Sequence, residues 1–563
     1  MFIDTRRLDE GSAIEAEVCI IGGGVAGITV ALELEKRGTG TCLIESGGFK
    51  PDNATKDLYR GESIGLPYIF ADGCRSRFLG GSSNCWGGWC GPWRSRILCG
   101  ANGCRTAAGH SQNQNFSRIT NGLTAFSGSV RTGSTLTFGS MRSVTPRFAE
   151  SRSQLAGSTM ESRSSAPVRF GRLYREELAR SKHVTVYLYA NAVDIETDGV
   201  EKVRRLKVKT LTGRTASVSA RIFVLAAGGI ENARLLLASN KVRPEGLGNH
   251  NDLVGRFFMA HPRLYSGKIY FREAWSRNML YDAKYHEQNK AVAAHGTCIA
   301  AQFGLTPELQ AKERLFNARV WFSSVFRGED SEVANALIRI KQRLERKEQF
   351  GHALIRDMLT LSVNPIDAAE FVVARYLRAR SLIKYARFQM IAEPLPDPDS
   401  RVVLSQQRDQ LGVNRVKVNW RLDILVKHTF DRTLAIIAEE LTSAGVADVI
   451  LDPPIDGGEW PSTFDKQGTW HHMGTTRMHD SPKLGVVDSN CRVHGTSNLY
   501  VAGSSVFPTA GGNFPTITIV ALALRLSDHI AVEMRRPVLE AGRERLRQRK
   551  WSRDPGRSYP VRQ

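Results

Sequence analysis

Residues 16–45 read AEVCIIGGGVAGITVALELEKRGTGTCLIE, and their order of residue types decides the first half of the fold. AEVCII (16–21) is an apolar run of strand length, Gly22-Gly23-Gly24-Val25-Ala26-Gly27 is a glycine turn, and ITVALELEKRG repeats its apolar residues at helical spacing. TCLIE then supplies a second strand ending on Glu45. Strand, GxGxxG turn, helix and strand make a βαβ start. In such a unit Gly22 allows the tight turn, Gly24 lets the backbone approach a pyrophosphate, and Gly27 permits close packing of helix on strand. The helix N-terminus attracts the phosphates. Glu45, 18 residues beyond Gly27, is positioned to accept hydrogen bonds from a ribose hydroxyl, and an acid there favours FAD or NAD over NADP.

Working outward, HVTVYLYANAVDIETD (183–198) and ASVSARIFVLAAGGIENARLLLAS (216–239) alternate strand-like runs with turns. The second contains a strand, a turn at Ala227-Gly228-Gly229 and a helix. A nucleotide domain assembled from segments this far apart must be discontinuous. Between 262 and 462 lie SGKIYF, ARVWFSSVF, SRVVLS and NRVKVNW, with the amphipathic stretch TFDRTLAIIAEELTSAG. These predict an α+β substrate domain with an antiparallel sheet beside the α/β nucleotide domain.

The chain has 563 residues, 42% apolar and 24% charged, which excludes disorder, collagen and a small disulfide scaffold. Nine scattered cysteines without a CxxC pair indicate neither a disulfide framework nor a structural zinc, and no metal site is expected. The N-terminus lacks an apolar stretch of leader type and no run of about 18 apolar residues occurs, so the expectation is a cytoplasmic protein without membrane insertion. The net charge of +21 is concentrated. Residues 93–167 carry nine Arg, no Lys and two acids, and residues 535–563 carry ten basic residues and three acids. No aromatic interleaving accompanies either stretch, so nucleic acid is not an expected partner.

Four motifs in order resemble the glucose-methanol-choline (GMC) family of FAD-dependent oxidoreductases. They are the N-terminal GxGxxG, RSRFLGGSSNCWGG (75–88), WHHMGTTRM (470–478) with GVVDSNCRVHGTSNLYVAGSSVFP (485–508), and GNFPT (512–516). The resemblance implies a discontinuous, Rossmann-like FAD-binding domain built from 14–92, 168–260 and 463–532, a substrate domain over 261–462 and a basic tail over 533–563. It implies oxidation of a primary or secondary alcohol, polyol or sugar, with oxygen, a quinone or a cytochrome as the electron acceptor. An imidazole suits removal of the hydroxyl proton near neutral pH, and the resemblance gives that role to His471, with Asn513 as the second member of the pair, its amide expected to hydrogen-bond the substrate oxygen as alkoxide character develops. His472 is expected to be structural, and His261 in FMAHP is a further candidate. Gly80, Gly81, Ser83 and Asn84 would run along the isoalloxazine, Val193 would contact adenine through its backbone, and Gly503 and Ser504 would meet the pyrophosphate or flavin. Ala227 and Gly228 join the cofactor-binding set with Gly22, Gly24, Gly27 and Glu45. Cys85 stands where some relatives have a flavin-linking histidine, so the FAD is expected to be non-covalent. A nicotinamide-linked flavin reductase is the other enzyme class, but only one GxGxxG is present.

Residues 93–167 break the pattern, since 22 of the 75 are Ser or Thr and no period of 2 or 3.6 persists. The family normally carries W-V-P-x-S-G-W-P here, and this chain has Gly103-Cys-Arg-Thr-Ala-Ala-Gly-His110. The codons TGG GTG CCG CAC AGC GGC TGG CCA, read one base later, encode that octapeptide. The segment therefore reads as translated out of frame or disordered, with the frame regained by Val168-Arg-Phe-Gly171, against a natural low-complexity insertion, and the alternative to an active enzyme is a flavoprotein catalytically impaired by this segment.

Overall fold

The computed structural model describes residues 1–68, 74–89, 155–164, 167–199, 202–272, 281–284, 297–329, 331–346, 352–377, 380–455, 459–461, 464 and 468–552. The anomalous segment lies outside them except for 155–164 and 167, as does the basic tail beyond 552. In chain order the first elements are β1 (Phe2–Asp4), β2 (Ser12–Ile21), α1 (Val25–Glu35), β3 (Thr41–Ile44) and β4 (Gly61–Ser63). Next come β5 (Leu155–Ser164), β6 (Val184–Leu188), β7 (Asn191–Thr197), β8 (Val203–Lys209), β9 (Thr215–Leu225) and α2 (Glu231–Ala238). The middle of the chain holds β10 (Arg263–Phe271), β11 (Thr297–Leu305), β12 (Ala318–Phe326), α3 (Glu332–Arg346), α4 (His352–Val363), α5 (Pro365–Leu377) and β13 (Ile383–Ala392). The last are β14 (Arg401–Arg408), β15 (Asn414–Asn419), α6 (Ile424–Ser443), β16 (Ala447–Ile450), β17 (Leu499–Val501) and α7 (Thr516–Ser552).

The apolar run Val18–Ile21 has no polar alternation because this second half of β2 is buried on both faces, as parallel strands between layers are. It pairs in parallel with β3, from Val18↔Thr41 to Ile21↔Ile44, and with β9, from Ser12↔Ala216 to Ile21↔Leu225. The sheet runs β1-β6-β3-β2-β9-β8-β7, with β17 also on β9. Its strands come from three separated parts of the chain. One apolar core joins this sheet to the buried side of α1 (Ile28, Val30, Ala31, Leu34) and to Val520, Leu526 and Ile530 of α7.

A second sheet, β16-β10-β13-β12-β11-β5, is antiparallel at every pairing among the described residues. Helix α6 closes its back because Val426, Phe430, Leu434, Ile437 and Leu441 recur on one side, facing a core that includes Phe322, Phe388 and Trp420. Each such large side chain contributes roughly 1.5–3 kcal/mol when removed from water. Two strands depart from the expected segment boundaries. β5, from the anomalous segment, lies at the edge of the second sheet, and β4 crosses from the N-terminal segment to pair in parallel with β15 in a small sheet, β14-β15-β4. Among the described residues no helix is long and apolar enough to cross a membrane.

Candidate active site

A cavity of about 570 Å³ opens between the two sheets, lined at one end by the β2–α1 turn and at the other by β10 to β13. At the first end the glycine turn presents its backbone to the cavity. Gly22 has φ +113°, and a Cβ on Gly27 would overlap the Gly22 carbonyl oxygen, so these two glycines let α1 begin directly on the strand end. Gly24 is the N-cap and no side chain caps it. The first N–H groups of the helix are therefore not satisfied by a capping side chain. Glu45, buried at the end of β3, accepts from the amides of Gly23 and Gly47 at 2.9 Å each, while burial holds its pKa above the ordinary carboxylate value.

The loop that follows lies over this turn. The Gly80 amide donates to the Gly23 carbonyl at 2.7 Å, and a Cβ on Gly81 would come within 2.8 Å of the Gly24 Cα. Ser83 Oγ donates to the Gly80 carbonyl and accepts from the Phe170 amide, and Asn84 Nδ2 donates to the Leu79 and Gly81 carbonyls at 3.0 Å. Arg169 and the Trp86 indole complete the attachment, bonding to Ser83 O and Val168 O respectively. Gly81, Ser83 and Cys85 line the cavity, whereas the Asn84 amide group is spent on holding the loop.

Beside the loop sits a buried charge cluster. Glu231 receives Arg75 at 2.9 Å and Arg77 and Arg234 at 3.2 Å, and Arg234 also meets Asp409 at 2.6 Å. Burial alone would raise the Glu231 carboxyl, yet the three guanidinium groups overcome it and hold the group down at about 2.

At the other end stand three histidines. His261, at the end of the chain leading into β10, and His471 approach Nδ1 to Nδ1 at 2.9 Å, with the rings edge to face. His261 Nε2 lies 2.6 Å from the Gly511 carbonyl oxygen. A carbonyl only accepts, so Nε2 of His261 carries a proton. Burial pushes His261 down to about 4, so the ring is neutral near pH 7 and its Nδ1 is bare. His471 Nδ1 must then donate, which leaves the lone pair of His471 on Nε2. Burial first, then His261, Arg263 and His472, hold His471 well below the ordinary imidazole value. His472 is pushed to about 3 by burial and stacks on Phe258 at 5.9 Å. Its carbonyl accepts from Ser504 Oγ at 2.6 Å, tying the two C-terminal motifs together.

Of the residues singled out from sequence, Gly22, Gly24, Glu45, Gly81, Ser83, Ala227, Gly228, His471, Gly503 and Ser504 line one cavity. Gly27 and Gly80 support its wall from behind. Val193 is the extra residue of a bulge in β7, between the register pairs of Ala192 and Asp194, and on that strand the lining residue is Ala192. Asn513 is buried and its Oδ1 accepts from Arg319 Nε at 3.3 Å; on that loop Phe514, Pro515 and Thr516 face the cavity. The histidine partner of His471 is His261, brought there by the isolated bridge Met259↔Met473. Sequence reasoning missed Arg263, Gln302, Trp321 and Gln389, which line the His471 end from four strands. Their signal is alternation along each strand, and it becomes a site only through register.

Residues 396–523 match the family described as GMC oxidoreductase. The chain is similar to the fructose dehydrogenase large subunit of Gluconobacter japonicus, 25% identical over 345 residues that cover 61% of this chain and 53% of that protein. It is also similar to 2-methyl-1,2-propanediol dehydrogenase of Mycolicibacterium austroafricanum, 26% identical over 362 residues with the same shares covered. The match thus spans about half the length of these curated relatives. Among solved structures, pyridoxine 4-oxidase from Mesorbium loti aligns with a TM-score of 0.54 at 17% identity, covering 91% of this chain and 99% of that one, a likeness of fold.

Proposed function

We propose that this chain, a GMC oxidoreductase by its family match and relatives, oxidises a CH–OH group of an alcohol, polyol or sugar, using FAD held non-covalently in the cavity. The uncapped start of α1 at Gly24 fits a pyrophosphate, the glycine turn and the loop over it leave backbone rather than side chains along the wall, and Glu45 stands at the strand end for a ribose hydroxyl. Gly22, Gly24, Gly81, Ser83, Ala227, Gly228, Gly503 and Ser504 would hold the cofactor. When bound, FAD supplies the two-electron acceptor for a hydride leaving the alcohol carbon.

The chain's own residues handle the proton. His471 receives the hydroxyl proton at Nε2, the nitrogen left bare by the bond through Nδ1 to His261. His261, fixed by the Gly511 carbonyl, sets the ring orientation and the tautomer. Burial keeps His471 neutral in the resting site, so it is a proton acceptor throughout the neutral range. Asn513, buried on the Gly512–Thr516 loop and held by Arg319, supports this wall of the site from outside the cavity lining. The observation that carries this reading is the His261–His471 pair, because its hydrogen bonds leave one ring nitrogen for base catalysis. Electrons leave to oxygen, a quinone or a cytochrome.

The test is the visible spectrum of the purified protein before and after anaerobic addition of D-fructose, D-gluconate, glycerol or a short alcohol. Flavin absorbance that is bleached supports the reading, and bound flavin that none of them bleaches counts against it. A second reading follows from the composition of 93–167: the chain as written binds flavin with impaired turnover. A version with the reading frame restored across that interval, bleached where the written chain is not, supports the second reading.

A further inference from the structure

Building on the reading of His471 as the base, we propose that Glu393 is a positioning residue for the same reaction: it holds Gly511 in place and, through the Gly511 carbonyl, fixes the tautomers of His261 and His471. Glu393 is buried, does not line the cavity and touches neither imidazole among the bonds it makes. Its place follows from register. In the pair β10–β13 Arg263 lies opposite Ile391, and in the pair β12–β13 Ala318 lies opposite Ala392. Carried past the strand ends, the same count sets His261 on one side of Glu393 and Asn317 on the other. Two backbone bonds continue the ladder there, from the Ala392 amide to the Pro262 carbonyl at 3.3 Å and from the Glu393 amide to the Asn317 carbonyl at 2.8 Å. Residues directly opposite one another share a face of the sheet, so the three side chains form a row at its end.

The loop before Asn513 lies on that row. Glu393 Oε1 accepts from the Gly511 amide at 2.8 Å, and Oε2 accepts from Asn317 Nδ2 at 2.5 Å. A Cβ on Gly512 would come within 3.1 Å of the Asn317 Cβ, which measures how closely the loop is laid down. Gly511 has φ +62°, a left-handed conformation with no side chain to hold it. Its two polar groups do the holding: the amide is bound to Glu393 and the carbonyl oxygen lies 2.6 Å from His261 Nε2. The direction of that carbonyl is what obliges His261 to keep its proton on Nε2 and His471 to donate from Nδ1.

Glu393 is therefore the fixed end of a line that runs through Gly511 and His261 to the base. Burial raises its carboxyl above the ordinary value. The anchor needs only an acceptor oxygen, which the ionised and the protonated carboxyl both offer. An amide in its place offers one as well, with Asn317 turned to present its own oxygen to the new NH₂ group.

The experiment follows anaerobic bleaching of bound flavin in the full chain with D-fructose, D-gluconate, glycerol and ethanol, and takes the limiting rate and the half-saturating concentration from whichever reduces the wild type. Glu393→Met, of similar length and without an acceptor, should lower the limiting rate about 10-fold, a fraction of the 10²- to 10⁴-fold worth of the base itself, with flavin content and half-saturation unchanged within about twofold. Glu393→Gln should keep the rate within about threefold of wild type. Added to His261→Gln, Glu393→Met should cost less than about twofold more, because it acts only through that ring. A wild-type rate in Glu393→Met, or the full 10-fold loss repeated on His261→Gln, overturns the proposal, the second by making the residue merely structural. Should Glu393→Met not fold, Glu393→Asp withdraws the oxygen from Gly511 by one methylene and carries the same expectation. Rates lost in His471→Ala and His261→Gln but kept in the Glu393 variants overturn this inference alone. A wild-type rate in His471→Ala, or bound flavin that none of the four compounds bleaches, overturns both it and the reading beneath it.

Discussion

At the β2–α1 end the cavity meets the main chain of a glycine turn and an uncapped helix start, beside side-chain charges already matched within the protein. At the His471 end it meets side chains from four antiparallel strands, Arg263, Gln389, Trp321 and Gln302, together with a histidine pair. The first end recognises by shape and oriented amides, which any cofactor with a pyrophosphate can use. The second recognises by particular side chains, which is where one substrate is told from another. The difference is also one of tolerance. A backbone cradle fails through a single added methyl group, whereas a side-chain wall changes its preference before it loses its form.

The largest expected effect follows from that contrast. Gly27→Ala puts a Cβ onto the Gly22 carbonyl, so the purified variant should carry no flavin absorbance, and a variant with full flavin content would contradict the close-packed turn. Next is His471→Ala, which should retain flavin while turnover falls by roughly 10²- to 10⁴-fold, the usual worth of a general base. Glu231→Gln leaves Arg75, Arg77 and Arg234 facing a neutral group; the expected cost is about 3–5 kcal/mol, seen as a lower thermal midpoint with FAD present. His261→Gln should lower turnover by about one to two powers of ten at neutral pH and displace the acid limb of the pH profile, because the tautomer of His471 is no longer fixed. A merely structural His261 would alter stability without moving that limb.

A further effect, on stability and not on turnover, is a dependence on pH. His261 and His472 titrate near 4 and 3 in the folded protein and near 6.5 when unfolded. The unfolded chain therefore binds more protons below pH 6.5. Their contribution is fully present above that pH and is lost as pH falls toward 4, at up to about 1.4 kcal/mol per pH unit for each histidine. Denaturation midpoints at pH 7 and pH 5 measure it, and an unchanged midpoint would contradict the burial of the two rings.

The two ends also differ in how far the sequence reveals them. The glycine turn, Glu45 and the loop at 80–84 are legible because each works through residues adjacent in the chain, and the apolar run of β2 announces a strand buried on both faces. His471 was legible from the motif around it. His261 as its partner was not, because the contact depends on the bridge Met259↔Met473 across more than 200 residues. The row from Arg263 to Gln389 has no local motif at all. It exists because β10, β13, β12 and β11 align with Tyr265, Gln389 and Trp321 opposite one another, and a shift of one residue in any strand would turn its member to the other face. Glu231 and Asp409 likewise look like surface acids until the fold buries them against arginines.

The most direct measurement is anaerobic reduction of bound flavin in wild type and His471→Ala at equal flavin content, following the visible absorbance after D-gluconate or D-fructose is added. The account predicts bleaching in the wild type and a rate lower by roughly 10²-fold or more in the variant, with the shortfall shrinking when an external imidazole base is supplied. Equal rates in the two proteins would contradict His471 as the group that takes the proton.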